Sequence, residues 1–195
     1  MPDNPGKLFY LMGASGAGKD SIMSSARQLI DPRAPIAFAH RYITRPFELE
    51  GENHIALSES EFDRLLRHDC FAMHWTSNCL RYGIGVEIDY WLKSGLNVVA
   101  NGSREYFSEA ARMQLELYPV LIWAYEKLLR ERLIRRGRES SKEIERRLVR
   151  TRKLDALIRH PRLTRLDNNG PLEEAALKLI TLLSSHAYRA DSKGR

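Results

Sequence analysis

The residues of this sequence best suited to chemistry are Gly13-Ala14-Ser15-Gly16-Ala17-Gly18-Lys19, set between the apolar run Leu8 to Met12 and a helical pattern. That context, strand before and helix after, is what a phosphate-binding loop requires. Glycine at 13 and 18 lets the backbone turn tightly and bring its own N–H groups up to phosphate oxygens. The following helix aims its positive dipole end at the same anion, and Lys19 adds a mobile cation for the β- and γ-phosphates. A bare Gly-rich turn would need neither the flanking elements nor the lysine. Asp20 stands where such a loop ordinarily has Ser or Thr, with Ser21 after it. Because the hydroxyl at that position normally ligates Mg²⁺, the carboxylate of Asp20 is the candidate metal ligand, directly or through water; it also suits the first turn of a helix.

Two groups of arginines could act with the loop. Arg132, Arg136, Arg138 and Arg147 straddle a break at Gly137, and Arg132 and Arg136 are one helical turn apart on one face. Planar guanidinium groups on a hinged pair of helices can close on a phosphoryl group in flight, so Lys19, Arg132, Arg136 and Arg138 are the catalytic candidates. A solvated charged face is the plainer alternative. Arg41 and Arg45 end the second strand, expected beside the phosphate loop, where they could hold an acceptor phosphate or merely pair with Glu48 or Glu50.

The elements that must position these groups alternate short apolar runs with amphipathic stretches, which predicts an α/β fold with a central parallel sheet and helices on both faces. At 195 residues the chain reads as one domain. Its core is expected at about 7–46 and 86–185, with an insertion lobe at about 47–85 and a lid at about 130–150. Strands are expected at Leu8 to Met12, Ile36 to Tyr42, Asn97 to Ala100, Val120 to Ala124 and Leu163 to Leu166. Helices should run from the loop to Ile30, over Val86 to Lys93, Glu105 to about Leu117, Glu126 to Arg136, on to about Ile158, and from Pro171 to Leu183. The insertion should carry a short helix at Ser58 to Leu66 and strands at Phe71 to Trp75 and Leu80 to Tyr82. Asn101-Gly102-Ser103-Arg104 sits at the carboxyl end of a strand, so this loop should face the same crevice as the phosphate loop.

Composition narrows the classes. The balance of 31 Lys and Arg against 25 Asp and Glu, net +6, suits an anionic partner. No basic run is interleaved with aromatics, which argues against nucleic acid and for a small phosphorylated substrate. No apolar stretch is long enough to span or anchor in a membrane, so a cytoplasmic location is expected. Cys70 and Cys79 read as ordinary reduced thiols. Oligomeric state stays open, a homodimer being one option.

The order strand–GASGAGKD–helix, His40-Arg41-Tyr42-Ile43-Thr44-Arg45-Pro46, Gly51-Glu52-Asn53-His54, Phe71 to Trp75, Tyr82-Gly83, Asn101-Gly102-Ser103-Arg104 and Arg136-Gly137-Arg138-Glu139 covers nearly the whole chain. It resembles the P-loop NTPase fold of the guanylate-kinase superfamily and, within it, the ribose 1,5-bisphosphate phosphokinases of phosphonate catabolism. The resemblance implies ATP and Mg²⁺ as cofactors and transfer to ribose 1,5-bisphosphate, giving 5-phosphoribosyl 1-diphosphate (PRPP). It also implies substrate contacts from Glu52, His54, Tyr82 and Asn101, besides Arg41, Arg45 and Arg104. Cys79 departs from the family, which usually has glycine there, and Trp123-Ala124-Tyr125-Glu126 replaces the usual Ser-Pro-Glu. A guanylate kinase proper is the alternative within the class, but Met73 and Ile84-Gly85 stand where it reads guanine with a glutamate and a hydroxyl. A catalytically inactive binding module is the alternative from another class; such modules usually lose the loop lysine and lid arginines that this chain keeps.

Overall fold

The structure, a computed structural model, describes residues 5–46, 54–113, 116–137 and 139–186. In chain order these form β1 (Leu8–Gly13), α1 (Lys19–Leu29), β2 (Ile36–Phe38), β3 (Arg41–Ile43), β4 (His54–Ala56) and α2 (Glu59–Arg67). β5 (Phe71–Ser77), β6 (Leu80–Gly85), α3 (Glu87–Lys93), β7 (Asn97–Asn101), α4 (Phe107–Ala110) and β8 (Leu117–Trp123) follow. The last described elements are α5 (Glu126–Arg136), α6 (Ser141–Leu157), β9 (Thr164–Asp167) and α7 (Leu172–Ser185).

β1 explains the architecture. Its residues Leu8 to Met12 are all 0% exposed, which no one-sided sheet allows. Phe9 and Leu11 pack into a core shared with α1, α5, α6 and α7, while Leu8, Tyr10 and Met12 face α3, α4 and the second sheet. The parallel sheet runs β2-β7-β1-β8-β9, with β1 paired to β7 on one side and β8 on the other. The expected α/β architecture is therefore present. The second sheet has the order β4-β3-β6-β5. Met73 and Ile84 from it are fully buried against the β1 face, so hydrophobic packing continues from one sheet into the other. On its opposite side α2 seals the sheet through Phe62 stacked on Phe71, and Arg81 lies over Phe62 while pairing with Glu59 and Asp63. Among the described residues no helix is long and apolar enough to cross a membrane.

Three expectations need correction. The run Ile36 to Tyr42 is not one strand: β2 pairs with β7 in the parallel sheet, the chain breaks at Ala39-His40, and β3 pairs with β4 and β6 in the other sheet. Nor does this segment adjoin the phosphate loop's own strand, because β7 lies between β2 and β1. The helix expected from Glu105 to Leu117 is only α4, because Leu117 and Tyr118 pair with Leu8 and Phe9 as the start of β8. Pro119 sits inside β8 just before pairing with β9 begins at Val120, so the β9 side requires no N–H from it.

Candidate active site

Gly13 to Lys19 leave β1 and turn into α1, and three glycines make the turn sterically possible. Gly16 and Gly18 hold φ of 84° and 89°, in the left-handed region, and a Cβ on Gly13 would lie 2.3 Å from the Ile122 carbonyl oxygen. Lys19 folds its Nζ back to 3.0 Å from the Gly13 carbonyl and 3.4 Å from that of Ala14.

The loop is held from outside by residues far along the chain. Asn168, at the end of β9 and 3% exposed, donates from Nδ2 to the Ala17 carbonyl at 2.8 Å. Arg132 of α5 donates to the carbonyls of Gly16 at 3.4 Å and Asn168 at 2.9 Å. Arg136, one turn on, reaches the Ser15 hydroxyl at 3.4 Å. Burial lowers the proton affinity of Arg132, with repulsion from Arg135 adding to it, yet a guanidinium has ample margin to stay charged. The helical spacing of Arg132 and Arg136 thus does bring both to the loop. Arg147 of α6 also lines the cleft and pairs with Glu139 at 3.2 Å.

Asp20 joins the loop to β7 and β3. Its Oδ1 accepts a short hydrogen bond from Asn101 Nδ2 and lies 3.5 Å from Arg41 of β3. Asn101 is 3% exposed, and its own Oδ1 is buried without a hydrogen-bond partner. Arg41 also lies over the ring of Tyr82, 5.3 Å from its centroid. Tyr82 stacks on Trp75, and Trp75 on Tyr106, each at 5.5 Å between centroids.

The loop after β7 is fixed by Tyr10. Its hydroxyl donates to the Ser103 carbonyl at 2.9 Å and accepts from the Ser103 N–H at 2.8 Å. Burial pushes the Tyr10 phenol far above its ordinary value, so the donor stays in place. A Cβ on Gly102 would lie 1.9 Å from Tyr10 Cζ, which makes glycine obligatory there. Arg104, next along, is tied to Asp155 of α6 at 2.6 Å.

These groups converge on a cleft of about 690 Å³. Of the residues expected from the sequence, Lys19, Asp20, Arg41, Arg45, Tyr82, Arg104, Arg132 and Arg136 line it. Asn101 lies behind Asp20 rather than on the wall. His54, 4% exposed, places its Nε2 3.2 Å from the Arg45 carbonyl, so it braces the Arg45 segment. Glu52 and Arg138 fall outside the described residues. The structure adds Asn168, Trp75 and Arg150, the last paired with Glu105 at 2.5 Å across the cleft. Trp75 could have been found from its register opposite Tyr82; nothing local in Asp167-Asn168-Asn169-Gly170 marks Asn168 off from a turn residue.

Among the described residues the cleft wall therefore offers eight cations (Lys19, Arg41, Arg45, Arg104, Arg132, Arg136, Arg147, Arg150) against the carboxylates of Asp20 and Glu105. Two curated relatives share this sequence closely. The ribose 1,5-bisphosphate phosphokinase PhnN of Desulfomicrobium baculatum is 53% identical over 177 residues, 91% of this chain and 94% of its own. That of Psychromonas ingrahamii is 48% identical over 184 residues, 94% and 93% of the two chains. The chain belongs to the ribose 1,5-bisphosphate phosphokinase family. No family model matches the chain. Among solved structures, the guanylate kinase of Anaplasma phagocytophilum superposes with a TM-score of 0.73 at 14% identity, covering 97% of this chain and 90% of that one. At that identity the likeness establishes the shared P-loop kinase fold and nothing finer.

Proposed function

We infer that this chain transfers the γ-phosphoryl group of ATP to the 1-phosphate of ribose 1,5-bisphosphate. An oxygen of the 1-phosphate attacks the γ-phosphorus, the bond to the β–γ bridging oxygen breaks, and ADP leaves with that oxygen. The product is 5-phosphoribosyl 1-diphosphate, and the dependence on ATP suits a cytoplasmic enzyme.

The observation that carries this reading is the charge of the cleft: eight cations facing two carboxylates suit two polyanions brought together. Each phosphate-bearing reactant carries about four negative charges near neutral pH, and their mutual repulsion is the first obstacle to transfer. In this reading the N–H groups of Gly13 to Lys19 and the Lys19 ammonium hold the nucleotide phosphates. Arg132 and Arg136 already touch the loop at Gly16 and Ser15, so they are suited to the charge that spreads over the equatorial oxygens in the transition state. Arg138 belongs with them by sequence. The helices α5 and α6 act as a lid hinged at Gly137, whose φ of 66° is left-handed.

A Mg²⁺ ion fits the donor set. Among the described residues no group of three His, Cys, Asp or Glu side chains converges, which suits an ion held mainly by phosphate oxygens and water. Asp20 would ligate it, held in place by the Asn101 Nδ2 donor to its Oδ1. Bound there, the ion would neutralise charge on the β- and γ-phosphates. Arg41 and Arg45 serve the acceptor from one side and Arg104 from another, with Tyr82 donating from the second sheet and His54 bracing Arg45; Glu52 belongs with them by sequence alone. A coupled ADP-release assay over ribose 1,5-bisphosphate, ribose 5-phosphate, GMP, AMP and gluconate tests the reading: turnover should be confined to the bisphosphate, and preference for GMP would overturn it.

A further inference from the structure

Trp75 occupies an unusual place for a side chain in the wall of a small-molecule cleft, because its indole is already stacked with two other rings. It stands opposite Tyr82 in the β5–β6 register, and the two rings are stacked with planes 5° apart. Tyr106, from the segment just before α4, stacks on the same indole at 25°. Behind the ladder on the same sheet face, Met73 and Ile84 are fully buried, so the rings cannot retreat into the core. In front of it, Arg41 caps the outer face of Tyr82. Two rings of the second sheet and one from the segment before α4 are thus stacked, and Tyr82 carries a cation.

This arrangement has a consequence for what the acceptor may carry. A nucleobase enters an aromatic site by lying on a free ring face or by parting two rings to about twice a stacking distance. Here Tyr82 and Tyr106 already engage the indole, and parting the ladder would pull the second sheet away from the segment before α4. A sugar phosphate without a base needs neither; it needs cations, and the ladder presents Arg41 at its end. We propose that Trp75 is a specificity-determining residue that fills the space a nucleobase would take, so that the site selects base-less sugar phosphates over nucleoside monophosphates irrespective of which base they bear. A filter of this kind differs from a pocket that merely lacks hydrogen-bond partners for guanine: it rejects all bases alike.

The inference rests on the acceptor being a ribose phosphate, and its test is therefore read as binding, independently of turnover. Calorimetric titration of the ATP-analogue-bound wild-type protein with ribose 5-phosphate, GMP, AMP and CMP compares ligands that share the ribose 5-phosphate unit and differ in the base. Ribose 5-phosphate should bind at least about tenfold more tightly than every nucleotide, with the three nucleotides alike. Trp75→Ala should narrow that gap to about threefold or less by improving nucleotide binding, whereas Trp75→Phe, which keeps a ring between the tyrosines, should keep most of it. If Trp75 only glued the two sheets together, Trp75→Ala would weaken all four ligands in parallel. A wild-type protein that binds any nucleotide as well as ribose 5-phosphate overturns the proposal, whether or not Trp75→Ala folds. So does a folded Trp75→Ala with the wild-type ratio. PRPP formation by the wild type, measured separately, reports on the proposed reaction itself.

Discussion

Gly18 and Asn168 approach so closely that each constrains the other, and their coupling can be measured. A Cβ at Gly18 would lie 2.3 Å from Asn168 Nδ2, and the backbone there has φ of 89°. Gly18→Ala therefore carries two costs: about 1–2 kcal/mol for an L-residue in the left-handed region, and about 1–3 kcal/mol for overpacking against a buried amide. Asn168→Ala removes the 2.8 Å donor from the carbonyl of Ala17, itself 0% exposed, at about 1–3 kcal/mol. In the double variant the steric cost at Gly18 disappears because the amide is gone, while the backbone strain remains. The double variant should thus be less destabilised than the sum of the singles by about 1–3 kcal/mol. Urea denaturation of the four proteins supplies the cycle, and ATP affinity should fall in each variant because the loop shifts. Additivity within about 0.5 kcal/mol would refute the argument that Asn168 sets the loop against Gly18.

Lys19→Ala should leave the melting temperature near wild type and lower kcat by about a hundredfold or more, since the ammonium supports transition-state charge rather than the core; a normally folded variant with most of its kcat would contradict this. Asp20→Ala should raise the Mg²⁺ concentration for half-maximal rate, and Asp20→Ser should partly restore it; identical Mg²⁺ curves in wild type and both variants would reduce Asp20 to the anchor seen between Asn101 and Arg41. Cys79→Gly should stabilise the protein by roughly 0.5–1 kcal/mol, because Asn78 and Cys79 turn the β5–β6 hairpin at φ of 51° and 60°, where glycine is unstrained. Denaturation of that variant is a direct check.

The phosphate loop could be read from the sequence because its physics is local: the glycines, the lysine and the flanking elements lie within about 25 consecutive residues. The apolar strands β1, β7 and β8 were legible for the same reason, being runs buried on both faces. What was not legible depends on partners distant in the chain. Ile36 to Tyr42 reads as one strand, yet β2 and β3 answer to different sheets, a choice made by Val98 for one and Gly83 for the other. Leu117 reads as the end of a helix until Leu8 claims it as a strand partner. Asn168 holds a loop 151 residues away, and no pattern around it announces that. The Cys79 departure, by contrast, was visible in the sequence, and the hairpin's positive φ supplies its physical meaning.

In the proposed reaction the phosphoryl acceptor is a sugar bisphosphate and not a nucleoside monophosphate. Steady-state kcat/KM of the wild-type protein for ribose 1,5-bisphosphate and for GMP, with PRPP and ADP both quantified, tests it most directly. The ratio should be at least roughly a thousandfold in favour of the bisphosphate, with Arg45→Ala removing about 2–4 kcal/mol of that preference. Equal phosphorylation of GMP, or an Arg45→Ala variant with unchanged kcat/KM, would contradict it.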